Sequence, residues 1–534
     1  MHSVLASPEL LERILSFHGA GENARYALVC RAWVEPARAT IWHKVDKPCA
    51  LLKLLGAPEC TVRQREHRMP LPLAHNVQRF NEIAVHVRVL CLGKGPKYCI
   101  GSITDAMSQV NSACNMPLLP GLRVLDAASM ELSPGGEIPF LCHKLRHLTI
   151  QLPSSRSGRT LVNSINDAVF RASGISSLAV VASYLTRPSA LQFEQVLMTL
   201  PATFSRLCTL SLPLYFLTPN LFARLATTSL TDILFSTCAR SHDNRGDPRD
   251  VLLGPFTHHD VLSVGTPFAQ LTQLALCTDL ANLIPVLNNN RFPVHNLVLI
   301  VIRAARQPAH ADIHALCTIL AQRGGGLRTV CMHLAPPRNS RNDTWPAPDQ
   351  SERLTLGDVF PLCSITGLRR LVLTHARSLG ILDTGIDLFC ASLPRLETLV
   401  LNPSPATDDS PFLTLSSLSV VARHCPLIRI LALHVDATAN IPPPTHSPIT
   451  FAHLETLDLL SSRLCPETRR TVALFLASIL PEPICMSNGG YDSLDEAQPE
   501  HQYREEWTSL QESISFMSTQ RLQLAMLSGL AAQT

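Results

Sequence analysis

The chain has 534 residues, 46% hydrophobic and 16% charged, with a net charge of +3 at neutral pH. That near balance excludes the electrostatic footprint of a protein that binds nucleic acid or an anionic membrane, so neither partner is expected. No run of about twenty apolar residues is present, so no membrane span is expected. Glu9, Glu12 and Arg13 interrupt the only apolar run at the start, which argues against a signal peptide. The 17 cysteines are odd in number, scattered singly and without a Cys-x-x-Cys pair. They read as reduced, buried thiols of a cytoplasmic or nuclear protein, not as a disulfide framework or a zinc site.

The first forty-five residues form three short helical patterns. Ser7 suits an N-cap and Pro8 the first helical position, where its missing N–H costs nothing. Glu9 and Glu12 place negative charge at the positive end of the helix dipole. Leu10, Leu11, Ile14 and Leu15 recur at helical spacing as one apolar stripe, and Gly19 and Gly21 are expected to stop the helix. A second pattern starting near Asn23 carries Tyr26, Ala27, Val29, Cys30 and Trp33, and Pro36 suits the start of a third that ends near Trp42. So few residues make a marginal core, so a partner or the following domain must cover part of their apolar surface. A helical cap on the next domain satisfies that demand as well as a docking module does.

The segments Pro8-Glu9-Leu10-Leu11, Ile14-Leu15-Ser16-Phe17, Leu28-Val29-Cys30-Arg31-Ala32-Trp33 and Ile41-Trp42 resemble the F-box. That helical motif docks substrate receptors on the Skp-type linker of cullin–RING ubiquitin ligases. The resemblance covers about residues 5–45, and Ala6-Ser7-Pro8 stands where the family has Leu-Pro. It implies a Skp-type linker and, through it, a cullin as partners. It also implies a linker-binding set of Pro8, Leu10, Leu11, Ile14, Leu15, Val29, Cys30, Trp33 and Trp42.

A connecting segment follows over residues 49–82. Leu51, Leu52, Leu54 and Leu55 predict one short helix, and Arg63, Arg65, His67 and Arg68 form a basic stretch read as a solvated linker. From about residue 83 to 483 an internal repeat appears, Leu-x-x-Leu-x-Leu or a near variant. Units start at Val87, Leu122, Leu145, Ile175, Leu207, Leu230, Leu271, Val294, Leu327, Leu368, Leu396, Ile428 and Leu454, with spacings between 23 and 41 residues. The end of each hexad alternates as a strand does, sending its leucines to one face. Helical patterns lie between hexads, as at Leu161 to Arg171, Ile313 to Gln322, Leu415 to His424 and Thr468 to Leu480. A strand plus a helix of this length is one turn of a solenoid whose neighbours bury each other's leucines. The expected fold is therefore α/β: a three-helix F-box over 1–48, a solenoid with a parallel strand row, and a helical C-terminal cap over 484–534. The array resembles leucine-rich repeats, and in composition the irregular repeat domains of fungal F-box proteins.

Polar insertions at 240–249, 336–350 (around Trp345), 402–411 and 442–448 read as surface loops. The C-terminal region offers Ile484-Cys485-Met486, then a helix from about Tyr503 to Leu527 with Trp507, Leu510, Ile514 and Met517 at helical spacing, read as the terminal cap.

Chemistry is scarce. Gly324-Gly325-Gly326 lacks the Lys-Ser/Thr of a P-loop and reads as a helix stop. His258-His259-Asp260 has nothing nearby to complete a metal site, and no hydrolase or metalloprotease motif occurs. No catalytic residue, metal or cofactor is therefore expected, and the chain reads as a non-catalytic adaptor. Residues between the hexad leucines point to the face that solenoids use for binding. Here they include His147, Thr149, Gln151, Gln273, Thr329, His333, Arg370, Thr374, Thr398, Asn402, His434, Thr456 and Asp458. This polar, weakly charged set is expected to hold an unknown protein target by hydrogen bonds and shape. A plain leucine-rich-repeat scaffold outside the ubiquitin system is the alternative.

Overall fold

A computed structural model describes residues 7–55, 74–92, 118–131, 138, 140–152, 158–182, 193–213, 216–236, 267–334, 353–405, 409–438, 441–443, 450–459, 461–480, 485–486, 506–514, 516–517 and 520. The chain divides into two compact units, Met1–Phe216 and Leu217–Thr534.

The first unit opens with helices α1 (Pro8–Leu15), α2 (Ala20–Tyr26) and α3 (Arg31–Trp42), and α1 and α2 both pack on α3. Their bounds differ from the sequence expectation. Gly19 is the N-cap of α2 and does not stop α1, and its backbone N–H donates to Glu22 Oε2 at 3.2 Å. Residues 27–29 form a turn, Cys30 is the extended N-cap of α3, and Pro36 lies inside α3 instead of starting it. Between α1 and α2, buried Asn23 donates from Nδ2 to the carbonyl oxygens of Leu15 (3.0 Å) and His18 (3.3 Å). It thereby ties the start of α2 to the carbonyls at the end of α1. Helices α4 (Cys49–Leu54) and α5 (Ala74–Ala84) follow.

Strands β1 (Lys44–Val45), β2 (Val89–Cys91), β3 (Val124–Glu131), β4 (His147–Leu152), β5 (Ser177–Ala182) and β6 (Thr209–Pro213) lie side by side in chain order. Every pair among them is parallel. Helix α6 (Gly158–Arg171) joins β4 to β5.

The second unit repeats the plan. Strands β7 (Asp232–Ser236), β8 (Gln273–Thr278), β9 (Leu299–Ala304), β10 (Thr329–His333), β11 (Arg370–Thr374), β12 (Thr398–Leu401), β14 (Ile430–Leu433), β16 (Thr456–Asp458) and β17 (Cys485–Met486) form a parallel row. The short strands β13 (Leu413–Thr414) and β15 (Val435–Asp436) pair separately. Helices α7 (Pro219–Ala226), α8 (Leu280–Asn288), α9 (His310–Arg323), α10 (Asp383–Ser392), α11 (Ser416–His424) and α12 (Arg469–Ile479) occupy the connections. Parallel strands in sequence order, returned by crossover segments, are the geometry of a leucine-rich-repeat-like α/β solenoid.

The hexads place the strands. At every predicted unit but one the strand begins two residues after the first leucine. The exception is Val294, which sits in a single 3-10 turn, Val294–Asn296, while Leu297, Ile300 and Ile302 supply the buried hexad of β9. The core is built from these positions: Leu271, Leu274 and Leu276, then Leu327, Val330 and Met332, then Leu396, Leu399 and Leu401 are all buried. The Gly324 backbone N–H donates to the Leu320 carbonyl oxygen at 2.8 Å, so the glycine run does end helix α9.

Residues 506–514 are helical, and Trp507, Leu510 and Ile514 are buried. The Trp507 indole N–H donates to the Ser462 carbonyl oxygen at 2.9 Å, which ties this helix to the chain just after β16. The basic stretch 63–68, the insertions at 240–249 and 336–350 with Trp345, the His258-His259-Asp260 run, and parts of the loops 402–411 and 442–448 lie outside the described residues. So do Ile484, Tyr503 and the predicted helix beyond 520.

Candidate functional site

Two surfaces carry the residues that the sequence singles out. The first is the helical module. Its apolar stripe splits in two because α1 is only two turns long and packs on one side. Leu11 and Leu15 turn inward and are buried, with Ala37 of α3 also buried inside the module. Leu10 and Ile14 lie on the outward face, 44% and 40% exposed, and Phe17, Leu28 and Val29 join them at 81%, 86% and 62%. Pro8 is also exposed, while Cys30, Trp33 and Trp42 are half-buried. Trp33 meets Tyr26 edge to face with ring centroids 6.0 Å apart, and Tyr26 meets His18 at 5.2 Å.

Among the residues expected to bind the linker, then, Leu11 and Leu15 belong to the module's own interior and cannot touch a partner in the folded chain. Phe17 and Leu28, outside that set, are exposed instead. Both fall in the segments that carry the F-box resemblance, yet helical periodicity cannot find them, because they lie just outside the helices. Single exposed apolar residues are ordinary, but five in forty positions on one small module need an explanation.

The second surface is the strand face of each unit opposite the leucines. In the first unit His147 is exposed, and Thr149 and Gln151 are half-buried. In the second unit the expected polar face is interrupted by a dry row. Ala275, Val301, Cys331, Val372, Val400 and Ala432 stand at matching register on six neighbouring strands, all buried, with Leu234 and Leu299 packed against them. Each is the fifth residue of its hexad, so the signal was in the sequence, but attention to the polar residues passed over it. Thr329, Arg370, Thr374, Gln273 and Thr456 are half-buried beside this row.

Thr398, His333, Asn402, His434 and Asp458 are buried, so they do not form an open polar surface. Several serve the strand ends instead. The His333 ring nitrogen Nδ1 lies 3.2 Å from Thr374 Oγ1, and His434 Nδ1 lies 2.9 Å from Ser378 Oγ. Asn402 has a left-handed backbone (φ 47°), which asparagine tolerates better than most residues. Its Oδ1 accepts from the His375 N–H at 2.9 Å, and its Nδ2 donates to the Arg377 carbonyl at 2.6 Å.

Burial pushes the His375 imidazole down to about 4, against the opposing hydrogen bond with the Arg377 backbone. Its Nδ1 accepts from the Arg377 N–H at 3.2 Å. Its Nε2 lies 2.8 Å from Gln307 Nε2, while Gln307 Oε1 is buried without a partner. Turning that amide over puts Oε1 against an Nε2–H, which fixes the neutral tautomer. Arg377 Nε pairs with Asp409 Oδ2 at 3.0 Å, and Arg353, which approaches Asp409 at 3.7 Å, lies over the Phe412 ring. This network holds loops in place and presents no nucleophile. The described cysteines are free thiols; burial pushes Cys277 up to about 12 and Cys363 up to about 11, so they stay protonated.

Among the described residues no group of three metal-ligating side chains converges, and no helix is long and apolar enough to cross a membrane. No family model and no curated protein matches the chain. Among solved structures, the crystal structure of a TLR13–ssRNA13 complex aligns with 71% of this chain and 61% of that one, at 13% identity and a TM-score of 0.32. The alignment thus spans under two thirds of that chain.

Proposed function

We propose that this chain is a non-catalytic substrate receptor of a cullin–RING ubiquitin ligase. In this reading the N-terminal helices dock a Skp-type linker and the strand rows hold a target protein. The observation that carries it is the exposure of five apolar side chains, Leu10, Ile14, Phe17, Leu28 and Val29, on a small module that buries Leu11, Leu15 and Ala37 inside. Desolvating such side chains is what a stable interface core does. The receptor's contribution to the reaction is proximity: it raises the effective concentration of target near the charged ubiquitin carrier.

One observation favours a second reading, a repeat scaffold whose first helices only close its end. Strand β1, which follows α3 directly, pairs with β2 through Lys44 against Val89 and Val45 against Leu90, so the module continues into the strand row. Co-expression with a Skp-type linker and its cullin separates the two. The receptor reading predicts a ternary complex that survives gel filtration and is lost in a Phe17→Asp, Leu28→Asp variant that stays folded. A scaffold would elute alone in both cases.

A further inference from the structure

We propose that the edge of the first unit's strand row at Arg88, Arg123 and Arg146 is a docking surface for an acidic, extended segment of a protein partner. The inference stands whether or not the helical module docks a linker.

The three arginines occupy the same place in three successive turns, immediately before or at the start of β2, β3 and β4. The Arg123 N–H donates to the Arg88 carbonyl oxygen at 2.8 Å, and the Arg146 N–H to the Arg123 carbonyl oxygen at 2.8 Å. Neighbouring strands lie about 4.8 Å apart, so the three side chains spring from points spanning roughly 10 Å. Arg123 and Arg146 are exposed and Arg88 is half-buried.

None of the three is bonded to a carboxylate among the described residues. Arg88 Nη1 donates to the carbonyl oxygens of Val85 (2.5 Å) and Gly121 (3.2 Å), and Arg146 Nη1 donates to that of Gly174 (2.8 Å). The arginine heads lie where a Cβ on Gly121 or Gly174 would sit, so both glycines leave room for them. Two of the guanidinium groups are thus held by one nitrogen, with their other donors left over, and Arg123 stands between them. Several acids of the first unit have partners of their own. Asp46 faces Lys44 at 3.4 Å, Glu35 meets Arg38 at 2.9 Å and His86 at 3.3 Å, and Asp126 accepts from the Ala128 N–H at 3.1 Å.

The second unit shows what a neutralised version of this edge looks like. There Arg328 before β10 donates to the Gly367 carbonyl oxygen at 3.1 Å, but Arg369 pairs with Glu397 at 2.9 Å and Arg429 with Glu455, so charges alternate from β11 to β16. The first unit keeps the arginines and lacks the glutamates. Repelling like charges placed side by side are unfavourable unless an anion is shared. The guanidinium fork matches a carboxylate in a bidentate way. Same-side residues of an extended peptide recur about every 6.8 Å, so two or three acidic side chains span the row. A nucleic acid fits less well, because the row is short and the chain as a whole carries only +3.

The test uses the full chain and three fluorescent probes: a peptide of alternating Asp and Ser, its Asn-Ser counterpart, and a thymidine oligonucleotide of equal charge. The acidic peptide is expected to bind in low salt, weaken as salt rises, and outbind both other probes. Arg123→Glu should weaken it by about tenfold or more, while Arg369→Glu in the second unit leaves it unchanged. Melting curves check that both variants fold, and Arg123→Gln replaces the reversal if it does not. Equal binding of the Asp and Asn peptides, an oligonucleotide that binds as tightly as the acidic peptide, or an Arg123 variant with unchanged affinity overturns the proposal.

Discussion

Acidification should loosen the second unit at His375. The folded imidazole titrates near 4, because burial and the neighbouring charges of His310 and Arg377 outweigh the opposing Arg377 backbone hydrogen bond and Asp358 charge. A proton on Nδ1 would break the hydrogen bond to Arg377. In the unfolded chain the same group titrates near 6.5. A histidine with a depressed folded value contributes full stability above about pH 6.5 and loses it as pH falls toward 4, because only the unfolded chain takes up the proton. Linkage gives a loss of about 2 kcal/mol by pH 5 and about 3 kcal/mol by pH 4. His375→Asn keeps an acceptor for the Arg377 N–H and removes the titration. Denaturation midpoints of the two proteins, followed by exchange of amides in 370–376, should diverge above pH 6 and converge toward pH 5. Parallel pH slopes for the two would refute the reasoning.

Other outcomes follow from packing. Leu11→Ala should cost about 2–5 kcal/mol of module stability and Ile14→Ala under about 1, since only the first empties a core site; exchange of α3 amides reads the difference. Val372→Asp in the dry row puts a charge among apolar neighbours and should prevent the second unit from folding, whereas Val372→Ala costs about 1–3 kcal/mol by thermal melting. Gly121→Ala brings a Cβ to 2.7 Å from the Val85 carbonyl oxygen as well as into Arg88, and should destabilise the first unit by about 1–3 kcal/mol in denaturant titrations. Trp507→Ala removes a buried indole and its bond to Ser462, and should release the 506–514 helix to rapid exchange.

The strand rows were legible because strand alternation is local. Leu, two residues, Leu, one residue, Leu marks both the strand and its inner face, whatever the rest of the chain does. The Val294 error is instructive: Val294 is buried like a hexad leucine, but it closes a 3-10 turn, and the true hexad starts three residues later at Leu297. The helix at 506–514 was equally readable, since Trp507, Leu510 and Ile514 repeat at helical spacing. What sequence spacing could not decide is which half of an apolar stripe faces in. Leu10 and Leu11 are neighbours on a two-turn helix, and only contact with α3 makes one of them core. The polar residues of the second unit were misjudged for a similar reason. Asn402 and His434 meet partners 25 and 56 residues away, at Arg377 and Ser378, and nothing local announces those bonds.

The account turns on the outward face of the first three helices, so calorimetric titration of the full chain with a Skp-type linker tests it most directly. Wild type should bind at micromolar affinity or tighter, and Ile14→Asp with Leu28→Asp should weaken binding on the order of a hundredfold or more without lowering the melting temperature. No heat from the wild type, or equal binding by the folded double variant, would contradict it.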